Sequence, residues 1–415
     1  MNMREWCMQA LYAICEEHAY SNLYLQKHLQ QLEKQDRSLA VTIVYGTLQN
    51  QRYLRYQWEM MVQRLPNKRI IHLIDMSIYQ LMFLDGVPPY AVIHEAVDLC
   101  GKVSPKAKGM VNGVLRRFQR EGKRALPADE WEAAALQASL PKWLILMWKS
   151  QYGETICRKI CQSMNQIHPQ CIRVNRMKAD KESLLASKDY SCGKLSEDAL
   201  YVEKGNAAES EAYKNGWISI QSEASQMVAI WMDPQPGERM LDVCSAPGSK
   251  AAHMAERMND EGAIICGDIH PHRVELIKKG AQRLSLHILD ARVMDATLLE
   301  GIEDASFDGV LCDVPCSGYG VMGRKSDLKL HIDPQTMDTL IPLQYAILCK
   351  ASTKVKEKGR LIYSTCTLNR KENEKQVERF LKEHPRFSLR KEQTFFPFEQ
   401  GTDGFYIALM SCEES

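Results

Sequence analysis

From Trp217 onward, short apolar runs alternate with amphipathic stretches, and this rhythm is the strongest constraint on the fold. Runs at 239–244, 263–268, 286–289, 307–313 and 360–364 read as strands. Stretches at 249–258, 272–284, 334–356 and 371–382 read as helices, the second with Val274, Ile277, Ala281 and Leu284 on one face. Apolar strands interleaved with such helices predict a parallel, doubly wound α/β sheet of Rossmann-like type. Ligands bind such sheets at the carboxyl ends of the strands, so chemistry-bearing residues are expected just after them.

The first 125 residues read differently. Cys7, Ala10, Leu11 and Ile14, and again Ile93, Ala96, Val97 and Cys100, repeat at helical spacing, and 70–84 is apolar nearly all round. We therefore expect an all-α domain at 1–125, a linker and small mixed subdomain at 126–216, and the α/β domain at 217–415. In the middle region, 142–148 and 181–187 read as helices, 171–175 and 199–203 as strands, and 204–216 as a surface loop.

Charge is asymmetric beneath a net +1. Residues 1–125 carry 17 Lys+Arg and 11 Asp+Glu, a net +6, against −5 for the remainder. Residues 102–124 hold eight bases and one acid, on a helix entered through Ser104 and Pro105, with Lys106, Lys108, Arg116, Arg117 and Arg120 outward. Such a face is either a solvated helix surface or a phosphate-binding one. The longest apolar stretch is interrupted by His72, Asp75, Gln80 and Asp85, and the amphipathic N-terminus lacks a signal-peptide pattern. The expectation is a soluble intracellular chain with no membrane partner. The 14 cysteines contain no CxxC, so most are expected to be reduced and buried. His270 and His272 have no third ligand nearby, and no metal is expected.

Two ends of the α/β domain carry chemistry. The run Cys244, Ser245, Ala246, Pro247, Gly248, Ser249, Lys250 joins a strand to a helix through small residues, letting a ligand approach backbone amides. Asp268, after the next strand, is placed for ribose hydroxyls, and Asp295, after the third, for adenine. Without a dinucleotide or P-loop pattern, the loop suits S-adenosylmethionine better than a nicotinamide or flavin cofactor; a scaffold that binds none is the remaining reading. Asp313 and Cys316 follow a fourth strand and Cys366 a fifth. Either cysteine alone is readily a small core residue, but both lie on polar loops beside Ser317, Thr365 and Thr367. Asn369 and Glu372 read as a capping box, which would put Cys366 within a turn of a helix N-terminus and favour its thiolate. A thiolate beside a methyl donor activates carbon 5 of a pyrimidine by adding to carbon 6. Asp313 would hold the cytosine edge, and a second thiol would assist release.

With these residues in view, the chain resembles the Nop/Sun family of RNA cytosine-C5 methyltransferases over essentially its whole length. The resemblance implies a NusB-like helical RNA-binding domain, a small RRM-like subdomain and an S-adenosylmethionine-dependent catalytic domain. The implied cofactor residues are Cys244 to Lys250, Asp268, Asp295 and Asp313. It also implies a nucleophile at Cys366 of the Thr365-Cys366 motif and product release by Cys316 of the Pro315-Cys316 motif. The implied substrate is a cytosine of 16S rRNA; a cytoplasmic setting is expected from the composition, and a monomer is the default expectation. The nearest alternatives are a tRNA or another rRNA site, or a non-catalytic RNA-binding antitermination or assembly module. The chain departs from the family pattern at Ser249 (usually glycine), Val314 (alanine), Ser326 (proline) and Thr367 (serine).

Overall fold

The computed structural model describes residues 2–166 and 169–414. The chain divides into two compact units, Met1–Gln166 with Lys325–Ile332, and Ile167–Arg324 with Asp333–Ser415.

The first unit is helical. Helices Met3–Glu16, Lys34–Trp58, Lys68–Phe83, Pro89–Val103 and Lys108–Glu121 enclose one apolar core. The helix expected to be central is so: every residue from Ile70 to Gln80 is buried. Its one buried acid, Asp75, accepts from Trp58 Nε1 at 2.7 Å and from both Nε and Nη2 of Arg55. These partners offset the desolvation of the carboxylate. Pro105–Ala107 forms a 3₁₀ turn, and the basic helix proper begins at Lys108 without a Ser104 side-chain cap. Val111, Val114, Leu115 and Phe118 are buried, while Lys106, Lys108, Arg116, Arg117 and Arg120 are exposed as their spacing requires. Helices Glu130–Ala138, Lys142–Tyr152 and Glu154–Ser163 belong to this unit too. So does the buried Lys329, whose ammonium donates to Ala138 O at 2.8 Å and Asn165 Oδ1 at 2.7 Å.

The second unit holds two sheets. Strands β1 (Cys171–Val174), β2 (Tyr190–Cys192), β3 (Ala199–Val202) and β4 (Ile218–Ile220) form a small antiparallel sheet in the order β2-β3-β1-β4. Ile218–Ile220 thus pairs with β1, and the stretch at 204–216 contains a short helix, Glu211–Lys214. Both differ from the reading by periodicity, because three-residue strands and one-turn helices carry too little pattern to register.

The larger sheet comprises β5 (Arg239–Asp242), β6 (Ala263–Asp268), β7 (Leu289–Val293), β8 (Phe307–Asp313), β9 (Val355–Thr365), β10 (Phe387–Phe395) and β11 (Phe405–Cys412), in the order β10-β11-β9-β8-β5-β6-β7. Five strands are parallel, while β11 runs antiparallel to both β9 and β10. The sheet is therefore mixed at one edge rather than wholly parallel. Strand β7 starts at Leu289 and not at 286: Leu286 is buried just after the helix ending at Leu284, and Asp290 and Arg292 occupy an exposed edge. Strand β9 begins five residues before the expected position.

The two sheets are joined by a buried ion pair. Arg173 of β1 is fully buried and bidentate on Glu256 at 2.6 and 2.9 Å, and donates to Ser249 O at 2.8 Å. Glu256 and Ser249 stand on helix Ser249–Arg257, so the small sheet is anchored to the helix that opens the ligand loop.

Candidate active site

Each candidate cofactor-binding or catalytic residue of the α/β domain lies at or shortly after the carboxyl end of a parallel strand. Strand β5 leads into 243–248, where Ser245 N donates to Gly267 O and Gly248 N to Ser245 O, both at 2.7 Å. Gly248 caps the following helix at φ +95°, and an added Cβ would press on Ile277 at 3.1 Å. Only glycine adopts that backbone without strain. Ser249 is the first helical residue, outside the set of positive φ values, so a side chain is tolerated where the family pattern has a second glycine.

At the end of β6, Asp268 Oδ1 accepts from His270 N at 3.0 Å and its Oδ2 faces Arg273 Nη1 at 3.2 Å. Arg273 also donates to Ala246 O at 3.1 Å, tying the small-residue loop to the acid. Asp295 caps a turn, its Oδ1 accepting from Thr297 N and Oγ1. The apolar Ile269 and Val293 beside these acids are more than half exposed.

Sequence reading missed Asp242. It ends β5 fully buried, with the Ser245 hydroxyl and the Cys244 amide near enough to favour the carboxylate but neither in a well-formed hydrogen bond with it. Burial, reinforced by Asp313, pushes its pKa up to about 7. An acid at the end of an otherwise apolar strand was the available signal. The unfolded carboxyl ionises near its ordinary value while the folded one keeps its proton to about 7. Stability is therefore lost as pH rises between those points and is level above them. That loss is worth roughly 4 kcal/mol. Asp242→Asn, which does not titrate, should remove this slope. Thermal melts of the ligand-free protein at pH 5 and pH 8 should differ less for the variant than for the wild type, and equal differences would refute the assignment.

The reacting end is assembled from β8 and β9. Asp313 and Ser364 are register partners, and Ser364 Oγ donates to Asp313 Oδ1 at 2.8 Å. Lys250 Nζ donates to Asp313 Oδ2 at 2.6 Å. Burial disfavours the Lys250 ammonium, yet the Asp313 carboxylate and then the Cys366 sulfur hold its pKa above the ordinary lysine value. Lys250 thus belongs to the reacting end as much as to the loop in which the sequence placed it. Cys316 Sγ and Cys366 Sγ lie 3.3 Å apart, both unbridged and both partly exposed, while Thr365 and Thr367 around Cys366 are buried. The contact with Cys366 and then burial push the Cys316 thiol well above its ordinary pKa. Desolvation also raises the Cys244 and Cys312 thiols well above their ordinary pKa.

One local expectation is corrected. Asn369 and Glu372 do not form a capping box: the following helix, Glu374–Glu383, starts after Asn373, eight residues beyond Cys366. The dipole of that helix therefore does not act on the Cys366 sulfur at one-turn range. Glu372 instead turns inward, where four donors outcompete a single backbone amide.

Among the described residues, no group of three or more His, Cys, Asp or Glu could hold a metal ion, and no helix is long and apolar enough to cross a membrane.

Sheet order, loop and thiol pair define a Rossmann-like methyltransferase domain preceded by a helical unit and a small sheet. Family models agree: residues 229–411 match "16S rRNA methyltransferase RsmB/F", 1–120 the NusB family, and 140–208 the ferredoxin-like domain of RsmF/B-like methyltransferases. The probable ribosomal RNA small subunit methyltransferase B of Bacillus subtilis is 39% identical, covering 99% of this chain and 98% of its own. The ribosomal RNA small subunit methyltransferase B of Vibrio cholerae is 32% identical, over 99% and 98% respectively. The crystal structure of PH0851 superposes with a TM-score of 0.85 at 25% identity, covering 100% of this chain and 99% of that one. NSun6 from Pyrococcus horikoshii, solved with SFG, shares the fold at a TM-score of 0.61 and 20% identity, covering 66% of this chain and 99% of its own. The chain belongs to the RsmB/F family of 16S rRNA methyltransferases.

Proposed function

We propose that this protein methylates carbon 5 of a cytosine in 16S rRNA, using S-adenosylmethionine and a transient bond between Cys366 and carbon 6 of the base. The observation that carries the reading is the Cys316–Cys366 pair at 3.3 Å, opening beside the Lys250–Asp313 pair at the carboxyl ends of β8 and β9.

The loop suits the cofactor by its own chemistry. The buried, weakly held carboxylate of Asp242 and the hydroxyl of Ser245 are suited to a cationic amino-acid group, and Asp268 to ribose hydroxyls. Asp295 and the exposed Ile269 border the place for adenine. When bound, S-adenosylmethionine supplies an electrophilic methyl group to carbon 5. The Cys366 sulfur adds to carbon 6, and the electrons of the 5,6 double bond move onto carbon 5, making it nucleophilic. Asp313, held by Lys250 and Ser364, accepts from the cytosine edge while the Lys250 ammonium balances the charge developing there. Once carbon 5 carries its methyl group, its proton must leave before the sulfur–carbon 6 bond breaks, and Cys316 is placed to assist. A cytosine reaches such a pocket only after leaving its stack.

The exposed cations of helix Lys108–Glu121 supply a phosphate-binding face, and the small sheet β1–β4, three of whose strands lie in the 126–216 region, serves as the RRM-like element. Bisulfite sequencing of RNA from a strain lacking this gene should show one 16S rRNA cytosine losing protection, restored by the purified protein with S-adenosylmethionine. Loss of protection in tRNA with 16S rRNA unchanged would reassign the substrate.

A further inference from the structure

Glu372 is fully buried, and among the described residues no Lys, Arg or His forms an ion pair with it. Four neutral donors hold its carboxylate: Ser317 N at 2.9 Å, Ser317 Oγ at 2.5 Å, Gln344 Nε2 at 2.9 Å and Asn369 Nδ2 at 2.9 Å. They come from the Pro315-Cys316 loop, helix Thr336–Ser352 and the segment after Cys366. Ser317 Oγ also meets Thr367 Oγ1 at 2.6 Å, and Tyr363 donates its hydroxyl to the Glu372 carbonyl at 2.6 Å. A buried anion balanced only by neutral groups is costly and calls for a function.

Its place suggests one. Glu372 is bound to the residue next to Cys316 and raises the Cys316 thiol, whereas the cation of the site, Lys250, feels the charge of Cys366. The pair thus has unlike charges on its two sides: the Glu372 carboxylate is tied to Ser317, the residue after Cys316, and the Lys250 ammonium that Asp313 holds interacts with the charge of Cys366. A proton shared across 3.3 Å settles beside the anion.

We propose that Glu372 is a positioning residue that decides which of the two sulfurs is the nucleophile: by anchoring its negative charge on the Ser317 side, it keeps the proton of the pair on Cys316 and leaves Cys366 as the thiolate. The inference rests on the reading of the pair as reacting groups but concerns the free protein, so it is tested without RNA or cofactor. The full chain is treated with iodoacetamide from pH 6 to pH 9, and alkylation of the Cys316 and Cys366 peptides is followed by mass spectrometry. In the wild type, Cys366 should react about tenfold faster than Cys316 near pH 7, since the thiolate is the reactive form. Glu372→Gln should cut that preference to within about threefold and move the pH midpoint of Cys316 alkylation downward, while Glu372→Asp, which keeps the charge, should restore most of it. Ser317→Ala removes one tether but leaves the carboxylate, and should preserve the preference. A wild type that alkylates Cys316 first, an unchanged preference in a folded Glu372→Gln, or a lost preference in Ser317→Ala would each overturn the proposal. If Glu372→Gln does not fold, the wild-type and Ser317→Ala measurements still decide. A protein that fails to methylate cytosine but keeps this order of reactivity would refute the proposed function and not the role of Glu372.

Discussion

Cys366→Ala should abolish methyl transfer while leaving RNA and S-adenosylhomocysteine binding within about twofold of wild type. Without the sulfur, carbon 5 of cytosine is never activated, and removal of a covalent nucleophile typically lowers kcat by about 10⁴-fold or more. The fold should hardly notice. Cys366 is partly exposed, so truncating it leaves little cavity, and the expected loss of stability is below about 1 kcal/mol. That combination separates the enzyme from the alternatives. A core cysteine would cost stability and spare activity, and a non-catalytic RNA-binding module would keep all its function. Radiolabelled methyl incorporation into 16S rRNA, with calorimetric titration of S-adenosylhomocysteine, reads both sides.

Cys316→Ser should have the opposite signature: a covalent protein–RNA adduct that survives denaturation. The variant retains Cys366, so the sulfur still adds to carbon 6 and carbon 5 is still methylated. What fails is the exit. Cys316 stands 3.3 Å from the attacking sulfur, and a serine hydroxyl is a far weaker acid and base near neutral pH. Turnover should fall about 100-fold or more, the size associated with losing a positioned proton-transfer group. On a denaturing gel with stoichiometric RNA and cofactor, most of the protein should migrate as a shifted band. The band should be absent from Cys366→Ala and from the double variant Cys316→Ser/Cys366→Ala. Free migration of Cys316→Ser with turnover intact would remove the assigned role.

The thiol pair illustrates how sequence and structure divide the information. That Cys316 and Cys366 are special follows from their polar flanks and their positions just after apolar strands. That they touch does not: fifty residues separate them, and their contact exists because β8 and β9 pair in parallel with Asp313 opposite Ser364. The same holds for Lys250, which reads as part of a ligand loop but spends its ammonium on Asp313, 63 residues away.

By itself the sequence determined the layered α/β domain, the helical first unit with its buried 70–80 helix and exposed cations, the small-residue loop and the acids that follow β6 and β7. Each of these is written in short-range periodicity or in the chemistry of a few adjacent residues. Only the tertiary structure decided the antiparallel edge made by β11, the membership of Ile218–Ile220 in the small sheet, the buried, weakly held carboxylate of Asp242 and the inward turn of Glu372. The physical reason is common to all four. A local pattern reports what a residue prefers among its neighbours in the chain, whereas burial and hydrogen bonding are settled by groups that the chain brings together from far apart. Glu372 has a helix-capping preference three residues after Asn369, and it gives that up because Ser317 and Gln344 arrive to fill its carboxylate.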